Sequence, residues 1–151
     1  CHPIWQMLHE DQEPISAARH TWNEVLDLPG AWDMTHVRKL MLSRPYYSRI
    51  PDQSLIASGQ GNYANHVAAT RGDGYAMVYL PANREVIINP NKLKADKIVA
   101  WWYNPRTGAS NKIGEFGTDE EQKFSTPVKG VDWVLVLDDA DKNFPKPGIV
   151  E

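Results

Sequence analysis

The sequence predicts a mainly β protein, an antiparallel β-sandwich preceded by two helices. The spacing of apolar residues changes from a helical repeat to alternation near residue 50. The apolar stretches after that point are short and are separated by turn residues about every eight to twelve positions, as in sandwiches. The densest aromatic and β-branched stretch, residues 97–108, ends in the turn sequence Asn-Pro-Arg-Thr-Gly and is predicted to contain the central strand.

The first predicted helix has Ser16 as its N-cap and Pro29-Gly30 as its stop signal. Its apolar residues recur at helical spacing and are Ile15, Ala18, Trp22, Val25 and Leu26.

The second predicted helix has one apolar face. This face consists of Ala31, Met34, Val37, Leu40 and Met41. Arg38, Lys39 and Arg44 lie on the other face or at the basic C-terminal end. The helix ends at Arg44-Pro45, because the residue before a proline avoids the helical conformation. Two helices of about 12 residues are marginal alone, so we expect their apolar faces to pack on the sandwich or on a missing N-terminal domain.

Eight strands are predicted after residue 50. They span residues 54–57, 66–71, 75–80, 85–89, 97–103, 112–116, 122–125 and 132–137. The stretch 131–137 is the predicted partner of the central strand; Val131, Trp133, Leu135 and Leu137 lie on one of its faces. Val134 and Val136 lie on the other face, so both faces of this strand look buried.

Residues 138–151 contain two prolines and are expected to form a polar tail.

The composition excludes several classes of protein. A net charge of −3 with interspersed signs gives no basis for binding nucleic acid or an anionic membrane surface. No stretch approaches the roughly 20 apolar residues of a membrane helix, and no signal peptide is recognised. The single cysteine, Cys1, has no internal disulfide partner. Because the chain opens on Cys1 and reads like the interior of a protein, we expect a fragment or a processed chain.

No motif in the sequence indicates catalytic or metal chemistry. A Gly-x-Ser-x-Gly elbow is missing, and the histidines lack zinc-ligand spacing, so we predict no metal and no cofactor. Neighbouring strand residues face opposite ways, so one member of the pair Trp101-Trp102 is a candidate carbohydrate platform on an outer face. The alternative is that both faces of this strand are covered and that both rings serve packing.

Three segments of the helical region resemble the end of the barrel in apiosidase-like glycoside hydrolases. They are residues 1–7 (Cys-His-Pro-Ile-Trp-Gln-Met), 22–31 and 34–40. The rest of the chain resembles the β-sandwich that follows that barrel and is labelled "putative collagen-binding domain of a collagenase". The segments that carry this second resemblance are 51–53, 69–71, 75–81, 102–108, Phe124 and 132–137.

The resemblance implies two regions. Residues 1–50 would be the C-terminal segment of a (β/α)8 barrel, with its last βα loop and helix, and residues 51–151 an accessory sandwich. It places the catalytic carboxylic acids upstream of Cys1, so this chain holds no catalytic residue and is expected to be inactive alone. The parent protein would be a secreted or periplasmic glycoside hydrolase. Its partners would be a carbohydrate substrate and the N-terminal remainder of the same protein.

His2 and Trp5 are the predicted substrate-binding residues, because the resemblance places them just past the final barrel strand. An indole stacks on a sugar ring, and an imidazole hydrogen-bonds a hydroxyl group. The alternative reading is that Trp5 packs beneath the loop and His2 caps the strand end. The alternative function for the whole chain is a non-catalytic extracellular module that binds collagen or polysaccharide.

Overall fold

The computed structural model describes residues 7–82, 84–128 and 131–150. Within these residues one α-helix, α1 (Pro29–Leu42), precedes nine strands. The strands are β1 (Ile50–Pro51), β2 (Ile56–Ser58), β3 (Ala68–Gly72), β4 (Tyr75–Leu80), β5 (Glu85–Ile88), β6 (Lys97–Tyr103), β7 (Ser110–Gly117), β8 (Gln122–Ser125) and β9 (Trp133–Asp139).

The strands form two antiparallel sheets. The larger sheet has the order β1-β3-β4-β9-β6-β7, and the smaller has the order β2-β5-β8. A core of buried side chains from both sheets lies between them, with Val86, Ile88 and Phe124 from the smaller sheet and residues such as Val78 and Leu135 from the larger. The predicted fold class, a mainly β antiparallel sandwich preceded by two helices, is confirmed.

The central pair predicted from the sequence is confirmed. β6 and β9 are antiparallel neighbours, with Trp102 opposite Leu135 and Ala100 opposite Leu137. Both faces of β9 are buried. Trp133, Leu135 and Leu137 belong to the core between the sheets, whereas Val134 and Val136 face outward into a second apolar cluster.

Helix α1 covers part of the outer face of the larger sheet. Leu40 packs there in the second apolar cluster with Tyr75, Met77, Tyr103, Val134 and Val136. The helix begins at Pro29, whose ring fits the first helical position because the missing N–H has no partner there in any helix. Within the described ranges, no helix is long and apolar enough to cross a membrane.

The first predicted helix forms as two short 3-10 helices, Ile15–Ala17 and Glu24–Asp27. Ala17 has φ +54° and the next residue is extended, so a continuous α-helix is interrupted there. The Thr21 N–H and hydroxyl both donate to the Glu24 carboxylate, at 2.8 and 2.9 Å. Such local bonds compete with a helix whose own stability in isolation is marginal. Pro29-Gly30 consequently starts α1 instead of ending a preceding helix.

The prediction that residues 138–151 form a polar tail was wrong. Asp138 lies within β9 and is buried, and Pro147 is buried as well. The Phe144 ring packs edge-on against Tyr75, at 6.2 Å between ring centroids. The two prolines prevent this segment from adding a strand to the sheet, but the Phe144 side chain still packs against the sheet.

One predicted strand is shifted along the chain. Residues 53–55 form a 3-10 turn, and β2 begins only at Ile56. The Asp52 side chain accepts a hydrogen bond from the Ser54 N–H at 3.1 Å, which caps this turn.

Replacing Trp133 with alanine is expected to lower the free energy of unfolding by about 3–5 kcal/mol. The residue is 5% exposed and meets Trp102 edge to face, with 6.3 Å between ring centroids. Urea denaturation of the wild type and of Trp133→Ala measures the loss. Trp32→Ala is the matched control, because Trp32 is 61% exposed and its loss should be within about 0.5 kcal/mol. An unchanged urea midpoint in Trp133→Ala would contradict the central role of this ring in the core.

Candidate functional site

The outer face of the larger sheet carries two concave regions beside α1 and the segment after β9. The first is an apolar groove of about 420 Å³ between α1 and the sheet. Its walls include Val37 and Met41 of the helix and Met77, Tyr103 and Val134 of the sheet. The second is a polar pocket of about 380 Å³ beside β6 and β7.

A buried ion pair joins the end of the helical region to β9. The Arg44 Nε and Nη2 atoms donate to the two carboxylate oxygens of Asp138, at 2.7 and 2.6 Å. The two side chains are 0% and 4% exposed. Arg44 Nη1 also donates to the Ser43 carbonyl oxygen, and the guanidinium lies 4.9 Å from the centre of the Phe144 ring. Planar two-point contact of this kind is specific to arginine.

Burial raises the pKa of the Asp138 carboxyl. The hydrogen bonds and the positive charge of Arg44 and, to a smaller extent, the neighbouring Trp101 side chain act on the pKa in the opposite direction. The carboxylate therefore has partners on both of its oxygens and sits in a closed environment. Its role is to hold other groups in place, not to exchange protons with a substrate.

Two tyrosine hydroxyls reinforce this joint. The Tyr103 hydroxyl donates to the His36 carbonyl oxygen of α1, and the Tyr75 hydroxyl donates to the Pro45 carbonyl oxygen, each at 2.8 Å. Arg49 Nε donates to the Tyr75 hydroxyl at 3.0 Å. Burial raises the pKa of Tyr103, so its hydroxyl stays a donor. The helical region and the sheet are thus joined by several polar contacts as well as by apolar packing.

The Trp101-Trp102 pair divides between the two faces of β6. Trp102 is 6% exposed in the inner core, where it meets Trp133. Trp101 faces outward, is partly buried against the second apolar cluster and lines the polar pocket. It lies beside the buried Asp138 carboxylate, which lines the same pocket.

A β-bulge gives the pocket its polar wall. Along β6 and β7 the register passes from Ala100 opposite Gly114 to Trp101 opposite Lys112, so Ile113 is an extra residue. Residues three apart in a regular strand face opposite sides, but the bulge brings Lys112 and Glu115 to the same side. Lys112 Nζ donates to the Glu115 carboxylate at 2.8 Å and lowers the pKa of that acid.

The predicted substrate-binding residues, His2 and Trp5, lie outside the described residues, so their placement stays a prediction. Within the described ranges, no group of three histidine, cysteine or acidic side chains is arranged to hold a metal ion. The polar residues that the sequence did not single out are Arg44 and Asp138. In the sequence, Arg44 stands out only as a basic residue before a proline, and Asp138 only as an acid at the end of an apolar strand.

The turn after β6 also has a structural role. The Asn104 carbonyl oxygen accepts a hydrogen bond from the Gly108 N–H at 2.8 Å, and Gly108 has φ +70°, which favours glycine. Arg106 forms an ion pair with Asp132, and its guanidinium lies 5.6 Å from the centre of the Trp133 ring. This turn therefore fixes the start of β9 beside the core aromatic residue.

Family comparisons agree with this architecture of a sandwich joined to a preceding helix. Residues 50–138 match the family model described as "Putative collagen-binding domain of a collagenase". Residues 1–48 match the model described as "Apiosidase-like, catalytic domain". Because the first match spans more than half of the chain, the chain belongs to that sandwich family. The resemblance to the C-terminal part of an apiosidase-like glycoside hydrolase is confirmed. Among curated proteins nothing matches the chain.

Two solved structures share the fold over nearly the whole chain. One, described as a glycoside hydrolase, has 32% sequence identity and a TM-score of 0.87, with 95% of this chain covered. The other, a glycoside hydrolase family 5 protein from Bacteroides vulgatus ATCC 8482, has 30% identity and a TM-score of 0.88, with 99% of this chain covered. The match spans 33% of each of those chains. The chain is therefore related to glycoside hydrolases and spans about a third of the length of these two.

Removing one member of the buried ion pair is expected to be more harmful than removing both. Asp138→Leu leaves the Arg44 charge buried without its partner, which should lower the free energy of unfolding by about 3–5 kcal/mol. The double variant Arg44→Met/Asp138→Leu replaces both charges with apolar groups and should lose less than Asp138→Leu alone. Urea denaturation of the wild type, both single variants and the double variant completes the cycle. Additive losses would mean that the two side chains act independently.

Proposed function

We propose that this chain is the C-terminal portion of a glycoside hydrolase. In this proposal residues 1–50 complete a (β/α)8 barrel, residues 51–151 form an accessory sandwich, and the sandwich holds the last barrel helix in position. The supporting comparisons are the family matches and the one-third coverage of two glycoside hydrolase structures. The structural support is the set of contacts that join the helical region to the sheet.

The observation that carries the proposal is the apolar surface that remains on the helical region. Trp32 and Met34 of α1 are each 61% exposed, and Leu42 is 45% exposed. Val37 and Leu40 of the same helix already face the sheet. Large apolar side chains that are exposed on several sides of one helix indicate that the helix packs against something else. A preceding part of the same enzyme would cover it, as the core of a barrel covers its outer helices.

The catalytic acids of the proposed enzyme lie upstream of this chain. A glycosidase needs two carboxyl groups flanking one bond, about 5–9.5 Å apart. The carboxyls of the described ranges whose pKa values are shifted each contact a neighbouring protein group. Thr21 contacts Glu24, Ser54 and Arg71 contact Asp52, Lys112 contacts Glu115, and Arg44 contacts Asp138. These contacts support structural roles for the four acids. His2 and Trp5 remain the proposed substrate contacts at the barrel rim.

An activity assay tests whether the catalytic residues lie outside this chain. The 151-residue chain and the longer protein that contains it are incubated with aryl glycosides and plant polysaccharides, and released sugar is measured. We expect release only from the longer protein, because the two carboxyl groups are absent from this chain. In the longer protein, His2→Ala should lower the rate, whereas His20→Ala should not, because the His20 side chain is exposed in the bend between the two short 3-10 helices. Hydrolysis by the short chain at a similar rate would overturn the proposal.

A second experiment tests the apolar surface. In the 151-residue chain Trp32→Gln/Met34→Gln should change the free energy of unfolding by less than about 0.5 kcal/mol, because both side chains are exposed. In the longer protein the same change should lower stability by at least about 1–3 kcal/mol, because both side chains would be buried there. The control is Val128→Gln, which alters an exposed sandwich residue. Equal effects of the double variant in both proteins would contradict the packing role of this surface.

A second function, binding of a carbohydrate polymer by the sandwich, is favoured by one observation. The polar pocket beside Trp101 combines aromatic and hydrogen-bonding side chains. Such a combination suits a sugar, which has both apolar ring faces and hydroxyl groups. The family name points to collagen, but collagen is a long rod of extended chains and would need a broad groove instead of a small pocket. By its resemblance to glycoside hydrolases, we propose that the protein acts in a secreted or periplasmic location.

A further inference from the structure

The pocket beside Trp101 has no part in the proposed hydrolysis. It has a volume of about 380 Å³, which falls in the range of about 300–1,000 Å³ that small-molecule sites occupy. Two aromatic rings, Trp101 and Phe144, line it together with polar side chains. The polar side chains are Lys112, Glu115, Asp139 and Asn143.

We propose that this pocket binds one neutral sugar residue of a carbohydrate polymer, with Trp101 as the surface on which the sugar ring stacks. The inference rests on the second function proposed above and names its site. It concerns the sandwich alone and is independent of where hydrolysis takes place.

Packing restricts the Trp101 side chain before any ligand arrives. It lines the pocket beside the Asp138 carboxylate, which is itself fixed by two hydrogen bonds from Arg44. Another part of the ring packs against the second apolar cluster. A side chain that is already ordered loses little conformational entropy on binding, so its contact with a ligand contributes fully to affinity. An aromatic ring of fixed orientation is what stacking on a sugar requires.

The polar wall offers hydrogen bonds to sugar hydroxyls. The Glu115 carboxylate accepts from Lys112, and a carboxylate has about four acceptor positions, so further hydroxyl groups can bond to it. Lys112 likewise has three donors on its ammonium group. Both stand on the Trp101 side of the sheet only because of the bulge at Ile113. Bulges of this kind often re-aim side chains beside functional sites.

The charges around the pocket indicate a neutral ligand. Arg44 pairs with Asp138, Lys112 pairs with Glu115, and Lys97 is a second positive charge that acts on Glu115, so together with Asp139 the charges beside the pocket are balanced. This balance leaves no surplus positive charge to attract a uronic acid or another anionic sugar. A metal ion is also disfavoured, because the described side chains include no group of three suitable ligands. A neutral pyranose or furanose residue fits both conditions.

Affinity electrophoresis tests the proposal directly. The 151-residue chain and the longer protein are run through gels that contain xylan, glucomannan or polygalacturonate, and binding to immobilised collagen is measured in parallel. We expect a neutral polysaccharide to retard the wild type. Trp101→Ala should weaken this retardation at least about tenfold, because it removes the stacking surface. Trp101→Phe should retain part of it.

Two further variants keep the test decisive. Glu115→Ala alters an exposed residue of β7 and should weaken binding several-fold without loss of fold, so it tests the site even if Trp101→Ala fails to fold. Tyr63→Ala removes an aromatic side chain that is 94% exposed and does not line the pocket, so it should leave binding unchanged. Near-UV circular dichroism verifies the fold of each variant.

The possible outcomes distinguish a failure of the proposed sugar site from a failure of polymer binding or of hydrolysis. Retardation that is unchanged in Trp101→Ala and Glu115→Ala would overturn the site but leave polymer binding in place. If no polysaccharide retards the wild type, the proposals of the site and of polymer binding are both overturned. The proposal that the longer protein hydrolyses glycosides is then still tested by its own activity assay. Retardation by polygalacturonate alone would overturn the neutral ligand. Binding by the short chain but not by the longer protein would show that the preceding part of the enzyme covers the pocket, which also overturns it as a ligand site.

Discussion

The ion pair between Arg44 and Asp138 is the interaction on which the outer face of this protein depends. It connects the residue before Pro45, near the end of the helical region, to the second-to-last residue of strand β9. Both side chains are withdrawn from water, and neither charge is tolerable there without the other. Such a pair contributes little net stability compared with apolar residues of the same volume. Its effect is to permit one arrangement of helix and sheet and to exclude others.

This constraint produces two different surfaces on the same sheet. On one side of the pair, α1 lies over Met77 and Val134 and leaves an apolar groove. On the other side, Asp138 and Trp101 line a polar pocket together. The joint that would hold a barrel helix and the site proposed for a sugar thus share one carboxylate. A change in the position of the helix would alter the surroundings of Trp101, because Arg44 bonds to Asp138 and Asp138 lines the same pocket as Trp101.

The two family matches describe the two halves of this arrangement separately. One is described as a collagen-binding domain and the other as an apiosidase-like catalytic domain, and the two solved relatives are glycoside hydrolases about three times as long. The exposed side chains of α1 favour a sandwich that works as part of a larger enzyme. The small polar pocket favours a carbohydrate over a protein rod as its ligand. Both points are consistent with a sandwich that keeps a polymer close to a hydrolytic site while it supports the last helix of the barrel.

Much of the sandwich was determined by the sequence alone. The strands β4, β6 and β8 begin and end where alternation and turn residues predict. Alternate residues of β9 face the inner core and the second apolar cluster, as the two-residue repeat of a strand requires. The period is a local property of the backbone, so a single sequence reveals it. The first predicted helix is helical only in two short 3-10 segments, because hydrogen bonds around Thr21 and a left-handed Ala17 interrupt a helix that has little stability of its own.

The tertiary structure alone decided the features on which the proposed functions depend. Arg44 and Asp138 are 94 positions apart in sequence, and nothing local indicates that they meet. The return of Phe144 to the sheet and the extra residue at Ile113 are likewise products of packing and register. The sequence determined that Trp101 and Trp102 must face opposite ways. Only the folded sheet decided that Trp101 is the outer one and that Lys112 and Glu115 stand beside it, because strand register depends on partners distant in the chain.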